Sequence, residues 1–148
     1  YLESVICFIY LQPNYHVEYL MNTLILLTFI GALLPYLSKI PVAIAMHRNG
    51  GYDNCHPRQQ QAQLTGFGAR ALAAHQNAFE ALIIFGIAMS TAIATNTTTE
   101  EVVYLAIAHI IARVFYSVMY YLNINIVRSI LWGVATISSF AIIWLSMT

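Results

Sequence analysis

Apolar residues along this chain fall into four long runs separated by short polar stretches. The runs cover about residues 17–46, 64–95, 102–122 and 124–147. A helix rises 1.5 Å per residue, so about 20 apolar residues are enough to cross the roughly 30 Å hydrocarbon core of a bilayer. Each of the four runs reaches that length, and the pattern therefore predicts four membrane-spanning helices.

The polar connections between these runs predict how the helices are joined. The first, residues 47–58, is rich in Gly, Asn and His, which favour turns. The second, residues 95–101, offers threonine caps and two first-turn glutamates to the third helix. The third, around residues 123–125, is so short that the last two helices must be antiparallel neighbours. The predicted fold class is an all-α integral membrane protein, an antiparallel four-helix transmembrane bundle.

Residues 1–20 do not fit this plan. Their apolar run, residues 5–11, is too short to span a bilayer and lacks the basic start and cleavage site of a signal peptide. Met21 opens a clean apolar helix and is therefore a candidate for the true start of the chain. We divide the chain into an N-terminal extension, residues 1–20, whose status stays open, and a four-helix membrane domain, residues 21–148.

Composition supports a membrane location and excludes several functions. Charged residues make up 8% of the chain, against about 25% in soluble domains, and the mean hydropathy is +0.68. The net charge is zero, and no basic patch is present to bind nucleic acid. Cys7 and Cys55 form neither a disulfide framework nor, with the histidines, a zinc pattern. We interpret both as incidental and expect no metal.

The distribution of basic residues predicts the orientation in the membrane. The first connection has four basic residues in or near it, Lys39, Arg48, Arg58 and Arg70, and Arg128 lies beside the third. The second connection has no lysine or arginine and carries Glu100 and Glu101. By the positive-inside rule, loops one and three should face the cytoplasm and both termini the outside.

Two ionisable residues lie deep within predicted spans. Glu80 is in the second span and Arg113 in the third. An ionisable side chain at the bilayer centre costs about 2.5–3.5 kcal/mol on insertion scales, so each should face the bundle interior and find a partner or a polar ligand. The alternative to a ligand site is an ion pair that only holds the bundle together.

Helical spacing places other polar residues near these two. Arg70 and Asn77 share nearly one face of their helix with Glu80 close by, and the third span carries a stripe at i, i+4, i+7 and i+11: His109, Arg113, Tyr116 and Tyr120. With Arg128 at the start of the fourth span, polar groups of three helices should converge on the cytoplasmic half of the membrane. The alternative for the tyrosines is an interfacial aromatic belt, which we prefer for Tyr121. We interpret His75 and His109 as hydrogen-bonded packing residues.

Two segments resemble a known family. GYDNCHPRQQQAQLTGFGARALAAHQNAFEAL and RVFYSVMYYLNINIVRS are similar to bacterial members of the MAPEG family, the membrane-associated proteins in eicosanoid and glutathione metabolism. The resemblance covers about residues 21–148. It is carried by Asn77-x-x-Glu80 after the letters AHQ and by Arg113-x-x-Tyr116-x-x-x-Tyr120 downstream.

The resemblance implies a homotrimer in the bilayer, with glutathione as co-substrate between neighbouring subunits and no metal. By position, the implied glutathione-binding residues are Arg70, Asn77, Glu80, Arg113 and Ser129. The implied catalytic residues are Tyr116 and Tyr120, which would line the site, and Arg128, which would approach the thiol. Well-studied eukaryotic members carry arginines where this chain has Ala73 and Gln76, which implies weaker glutathione binding or a different thiol.

The resulting hypothesis is a glutathione transferase or peroxidase of a bacterial inner membrane, acting on apolar electrophiles or lipid hydroperoxides. One alternative is a non-catalytic lipid-binding scaffold of the same family; the presence of Arg128 together with Glu80 favours the enzyme, since a scaffold needs no thiolate. The other is a small multidrug transporter, a class that usually places its glutamate in the first helix. Here Glu18 lies only at the outer edge of that helix.

Overall fold

The computed structural model describes the backbone of residues 2–148 and the side chains of residues 15–148. Its helices are α1 (Leu2–Arg48), α2 (Pro57–Ala62), α3 (Gly66–Ala94), α4 (Glu100–Leu122) and α5 (Asn125–Leu145). The four long helices are each long and apolar enough to cross a membrane. The protein is therefore an all-α, multi-pass integral membrane protein with four spans, as predicted.

The helix boundaries differ from the prediction at two places. α1 begins at Leu2 and not near residue 17. Residues 1–16 contain no glycine, and the described backbone is helical on both sides of their one proline, Pro13. The short helix α2 was not predicted; its first residue is Pro57, a position that suits proline. Cys7 and the apolar run of residues 5–11 lie outside the described side chains.

A tight reversal joins α4 to α5. Asn123 ends α4 in the left-handed conformation, with φ of 61°, and its backbone N–H returns to carbonyls of the last turn. Asparagine tolerates this conformation better than most residues. The two helices then pack against each other along their lengths, which confirms that they are neighbours.

The bundle is built around α3, which packs against α1, α4 and α5. The face that α3 buries is rich in alanine, and small residues let membrane helices approach closely. One apolar cluster lies near the α3–α4 connection and includes Leu24, Phe85 and Val102. A second lies near the α1–α2 connection and includes Val42 and Leu64.

Two histidines join helices between these clusters. His75 Nδ1 on α3 donates to the carbonyl of Pro35 on α1 at 2.9 Å. His109 Nδ1 on α4 donates to the carbonyl of Ala135 on α5, also at 2.9 Å. The histidine nitrogens are the donors in both hydrogen bonds because a carbonyl oxygen can only accept. Both histidines are hydrogen-bonded packing residues, as predicted.

The start of α3 approaches α1 closely at a glycine. A Cβ added at Gly68 would lie 3.2 Å from the Cβ of Ala45. A larger residue there would push the two helices apart. Gly68 therefore lets the start of α3 pack closely against α1.

Candidate functional site

A continuous series of side-chain contacts joins α3, α4 and α5. It begins on α3, where Asn77 Nδ2 donates to Glu80 Oε2 at 2.7 Å. On α4, Arg113 Nη2 donates both to the side-chain oxygen and to the backbone carbonyl of Asn77, each at 3.0 Å. Asn77 thus connects the carboxylate on one helix with the guanidinium on the next.

The contacts continue along α4 and reach α5. The guanidinium carbon of Arg113 lies 4.1 Å from the ring centroid of Tyr116. The Tyr116 ring meets that of Tyr120 edge to face, with 5.3 Å between centroids. The guanidinium carbon of Arg128 lies 4.3 Å from the centroid of the Tyr120 ring. We call the whole set, Glu80, Asn77, Arg113, Tyr116, Tyr120 and Arg128, the polar ladder.

The polar ladder shows how Glu80 and Arg113, which could have formed a simple ion pair, are connected. Among residues 15–148, the only nitrogen–oxygen pairs within salt-bridge distance are His16–Glu100 and His56–Asp53. Glu80 and Arg113 are instead linked through Asn77, whose amide nitrogen faces the carboxylate and whose oxygen faces the guanidinium. The carboxylate therefore keeps acceptor capacity for another cation.

Burial changes along the ladder. Arg113 is 4% exposed and Tyr116 is 5% exposed. The expectation that both ionisable residues face the bundle interior is confirmed for Arg113 and is wrong for Glu80, which lies on the surface of the protomer. Asn77, Tyr120 and Arg128 are half-buried. Glu80 stands midway between the two ends of α3, which is about 20 Å from either end at 1.5 Å per residue. A carboxylate at that depth is costly in contact with lipid, so the bilayer alone does not suit it.

The ladder runs from the middle of the bundle toward one end. Tyr120 lies in the last turn of α4, and Arg128 lies in the first turn of α5. The same end of the bundle carries α2 and the polar connection between α1 and α3. Arg128 therefore lies at the end of the bundle, while Glu80 lies deeper.

Two of the residues predicted for the site lie outside the ladder. Arg70 Nη2 donates to the backbone carbonyl of Tyr121 at 3.4 Å, and its Nε is buried without a partner among the described residues. Ser129 is exposed, and its hydroxyl donates within its own helix to the carbonyl of Asn125 at 3.1 Å. Tyr121, expected in an aromatic belt, packs its half-buried ring against Phe67.

A cavity beside the ladder was not predicted from the sequence. It has a volume of about 280 Å³ and lies between α1, α3 and α4. Most of its lining is apolar, and its polar lining residues include Ser38, His109, Arg113 and Ser117. The signal that could have found it is a set of small residues, Gly31, Ala78 and Ala81, which leave space where the helices meet.

The donor set of the ladder suits an organic zwitterion better than a metal. Two guanidinium groups can hold carboxylates through charge-assisted hydrogen bonds, and one carboxylate can hold an ammonium group. Within residues 15–148, no three His, Cys, Asp or Glu side chains come together as a candidate metal site.

Comparison with known protein families assigns the chain to one of them. The model of the MAPEG family matches residues 23–148, which is most of the chain. The chain belongs to the MAPEG family. It is thus a membrane protein of the family concerned with eicosanoid and glutathione metabolism, whose members use glutathione. No curated protein and no solved structure matches the chain.

Proposed function

We propose that this protein is a glutathione transferase or peroxidase that acts on apolar electrophiles or lipid hydroperoxides dissolved in the membrane. The polar ladder carries the proposal, because it connects a carboxylate at mid-membrane depth with an arginine at the aqueous end of the bundle. In the bilayer of a bacterial inner membrane, that end would face the cytoplasm, where the thiol is supplied.

The charges of glutathione match those of the ladder. Glutathione carries two carboxylates, one ammonium group, two peptide bonds and a thiol. Glu80 would pair with the ammonium group and Asn77 with the peptide backbone. Arg113 would brace Glu80 or bind a carboxylate, and Arg70 has a buried Nε–H without a protein partner among the described residues. A carboxylate is a suitable acceptor for such a donor.

Arg128 would activate the thiol. A free thiol has a pKa near about 8.5, and only its thiolate is the nucleophile. A neighbouring cation lowers such a pKa by about 1–3 units, which leaves much of the thiol ionised at neutral pH. Arg128 is held over the Tyr120 ring at the aqueous end of the ladder. Tyr116 and Tyr120 would line the site, and Ser129 would lie at its rim.

Two reactions are available to this thiolate. In conjugation, the sulfur forms a bond to an electrophilic carbon, the carbon–halogen bond breaks, and halide leaves while the thiol proton goes to solvent. In peroxide reduction, two glutathione molecules reduce one hydroperoxide to an alcohol and water and are oxidised to the disulfide. Both reactions need an apolar substrate beside a polar thiol, which the boundary of a membrane bundle provides.

A homotrimer would complete the site. The exposed face of α3 carries Gln76, Glu80, Ile83 and Ile87 at helical spacing. A neighbouring copy on this face would remove the Glu80 carboxylate from lipid and enclose glutathione between subunits. Native mass spectrometry of the detergent-solubilised protein should give three copies, and a monomer that still binds glutathione would contradict this arrangement.

Calorimetric titration of the solubilised protein with glutathione tests the binding step. We expect saturable binding that Glu80→Gln weakens at least tenfold, because the charge that holds the ammonium group is lost. The matched control is Glu18→Gln, which removes an exposed carboxylate from the start of the membrane-spanning part of α1. No binding by the folded wild-type protein, or equal binding by both variants, would contradict the proposal.

Turnover with chlorodinitrobenzene tests the chemical step. Arg128→Ala should lower kcat while the oligomer persists, and Arg58→Ala, which removes an exposed arginine of α2, should leave kcat unchanged. Wild-type turnover of Arg128→Ala would remove Arg128 from the mechanism. Glutathione binding without any turnover, on electrophiles and on a fatty-acid hydroperoxide alike, would favour the non-catalytic scaffold.

A further inference from the structure

The cavity between α1, α3 and α4 is distinct from the face that exposes Glu80. Its walls include Gly31 and Leu34 on α1, Ala81 and Phe85 on α3, and Val118 on α4. These residues come from three helices of a single copy of the chain. Its volume of about 280 Å³ is just below the roughly 300–1,000 Å³ range of small-molecule pockets.

The cavity has an opening toward the lipid. Three of its lining residues are substantially exposed on the surface of the protomer, within the membrane-spanning helices: Leu37 at 55%, Val114 at 44% and Val118 at 38%. They lie on α1 and α4, so the opening is between these two helices. The solvent at that surface is hydrocarbon, and the molecules that can enter through it are apolar.

Two polar side chains end the cavity on its buried side. His109 and Arg113 are one helical turn apart on α4, and both line the cavity while being 3% and 4% exposed. His109 Nδ1 donates to the carbonyl of Ala135 on α5, so a neutral ring carries its lone pair on Nε2. Arg113 supplies donors only.

His109 lines the cavity, and its Nε2 atom is the ring nitrogen left for a ligand. Residues 15–148 make hydrogen bonds to the Nδ1 atom of this ring and none to its Nε2. Nε2 is not among the fully buried, unpartnered side-chain atoms of residues 15–148. The ring therefore presents an acceptor, and Arg113 a donor, at the end of an apolar chamber.

We propose that this cavity binds a membrane-dissolved apolar molecule whose single polar group both donates and accepts a hydrogen bond. A hydroxyl, hydroperoxyl or protonated carboxyl group at the end of a hydrocarbon chain has this chemistry. Its O–H donates to His109 Nε2, and its other oxygen or lone pair accepts from Arg113. The chain follows the apolar walls toward the gap between α1 and α4.

The position of Arg113 connects this cavity with the polar ladder. The same guanidinium lines the cavity and donates to Asn77, which holds Glu80. The occupant is thus placed next to the residues proposed to bind glutathione. The inference that the occupant is the apolar co-substrate rests on the proposed function. The inference that the cavity is a ligand site does not rest on it.

Photolabelling of the solubilised protein tests the site. The probe is a long-chain alcohol with a diazirine in its chain, and a diazirine alkane of equal length is the comparison. Mass spectrometry of peptides should place the alcohol label on the cavity lining, for example at Leu34 and Val118. Labelling spread evenly over exposed residues of α5 such as Ile130 and Ile137 would overturn the proposal.

Two variants fill the cavity, and a third leaves it open. Ala81→Leu and Ser117→Leu each add volume to its lining and should reduce labelling by the alcohol at least fivefold. Ala94→Leu adds the same volume as Ala81→Leu at an exposed position of α3 away from the cavity and should label like the wild type. Undiminished labelling in a folded Ala81→Leu or Ser117→Leu protein would overturn the proposal.

His109→Asn tests the polar end. The asparagine amide nitrogen can still donate toward Ala135, but the acceptor corresponding to Nε2 is lost. Labelling by the alcohol should fall at least threefold, with no such fall for the alkane; equal falls would contradict the assigned role of His109. Titration of the same samples with glutathione distinguishes the two proposals. Loss of glutathione binding with labelling intact would contradict the proposed transferase function but not the proposed ligand site in the cavity.

Discussion

One nitrogen of Arg113 donates to both oxygens of Asn77, the side-chain oxygen and the backbone carbonyl, each at 3.0 Å. This arrangement fixes the asparagine amide in a single orientation, because only its oxygen can accept from a guanidinium. Its nitrogen is then directed at Glu80, 2.7 Å away. The position of the carboxylate on α3 therefore depends on a buried cation of α4, although the two charges do not touch.

Asn77→Asp should disrupt this arrangement. The new carboxylate oxygen would meet Glu80 where an N–H donor stood, and two carboxylates at that distance repel each other. We expect glutathione affinity to fall at least tenfold, which corresponds to about 1.4 kcal/mol. Calorimetry measures the change, and Asn22→Asp, at an exposed position of α1, is the matched control. Equal affinity in the two variants would show that Asn77 does not orient the carboxylate for binding.

The contact between Tyr120 and Arg128 predicts a graded series at position 120. A cation over an aromatic ring contributes about 0.5–2 kcal/mol depending on its burial. Tyr120→Phe keeps the ring and removes only the hydroxyl, so it should change kcat little. Tyr120→Leu removes the ring and should lower kcat roughly two- to thirtyfold, because Arg128 loses its position.

A double-mutant cycle separates positioning from bulk effects at this contact. If the ring acts through the guanidinium, Tyr120→Leu should have little further effect in the Arg128→Ala background. Fully additive losses in kcat would instead assign Tyr120 an independent role, such as direct contact with the substrate.

The four spans could be read from the sequence because hydrocarbon leaves a chain few choices. Every backbone polar group must be satisfied internally, so a long apolar run can only be a helix. The stripe of Arg113, Tyr116 and Tyr120 followed from helical periodicity alone, and the structure has these side chains in sequential contact. Both inferences depend on local geometry, which sequence spacing fixes.

Contacts between helices could not be predicted in the same way. Helical spacing gives the face of its own helix on which Glu80 or Arg113 lies. It does not give the rotation and relative depth of α3 and α4 that place Asn77 between the two charges. The cavity depends on the summed shapes of residues from three helices. Arg70 shows the limit most clearly, because its helical face suggested the ladder, whereas its guanidinium reaches the carbonyl of Tyr121.

Close packing of α1 on α3 predicts a destabilising effect of Gly31→Ala. A Cβ at Gly31 would lie 2.5 Å from Cε1 of Phe85, a ring that is 1% exposed. Overpacking of this kind costs about 1–3 kcal/mol. Gly86→Ala is the control, since its Cβ would meet nothing within 4 Å and the change favours a helix by about 0.5–1 kcal/mol. Unfolding in detergent by titration with denaturant measures both changes.

A second substitution tests the assigned cause of this effect. Phe85→Leu removes the ring carbon that clashes, so Gly31→Ala should cost less in that background than in the wild type. An unchanged cost would place the origin of the destabilisation elsewhere than the ring of Phe85.

We expect the turn in the loop between α1 and α2, outside the membrane, to depend on pH. Asp53 accepts hydrogen bonds from the backbone N–H groups of His56 at 3.0 Å and Cys55 at 2.8 Å, and these lower the pKa of its carboxyl below the ordinary value. A group whose pKa is lower in the folded state stabilises that state above its ordinary pKa, and the effect is lost as pH falls through the lowered value. The amide resonance of Cys55 in an NMR titration should therefore shift with a midpoint below that of an unperturbed aspartate, and Asp53→Asn should abolish the shift. A midpoint at the ordinary value would mean that the carboxylate does not hold the turn in solution.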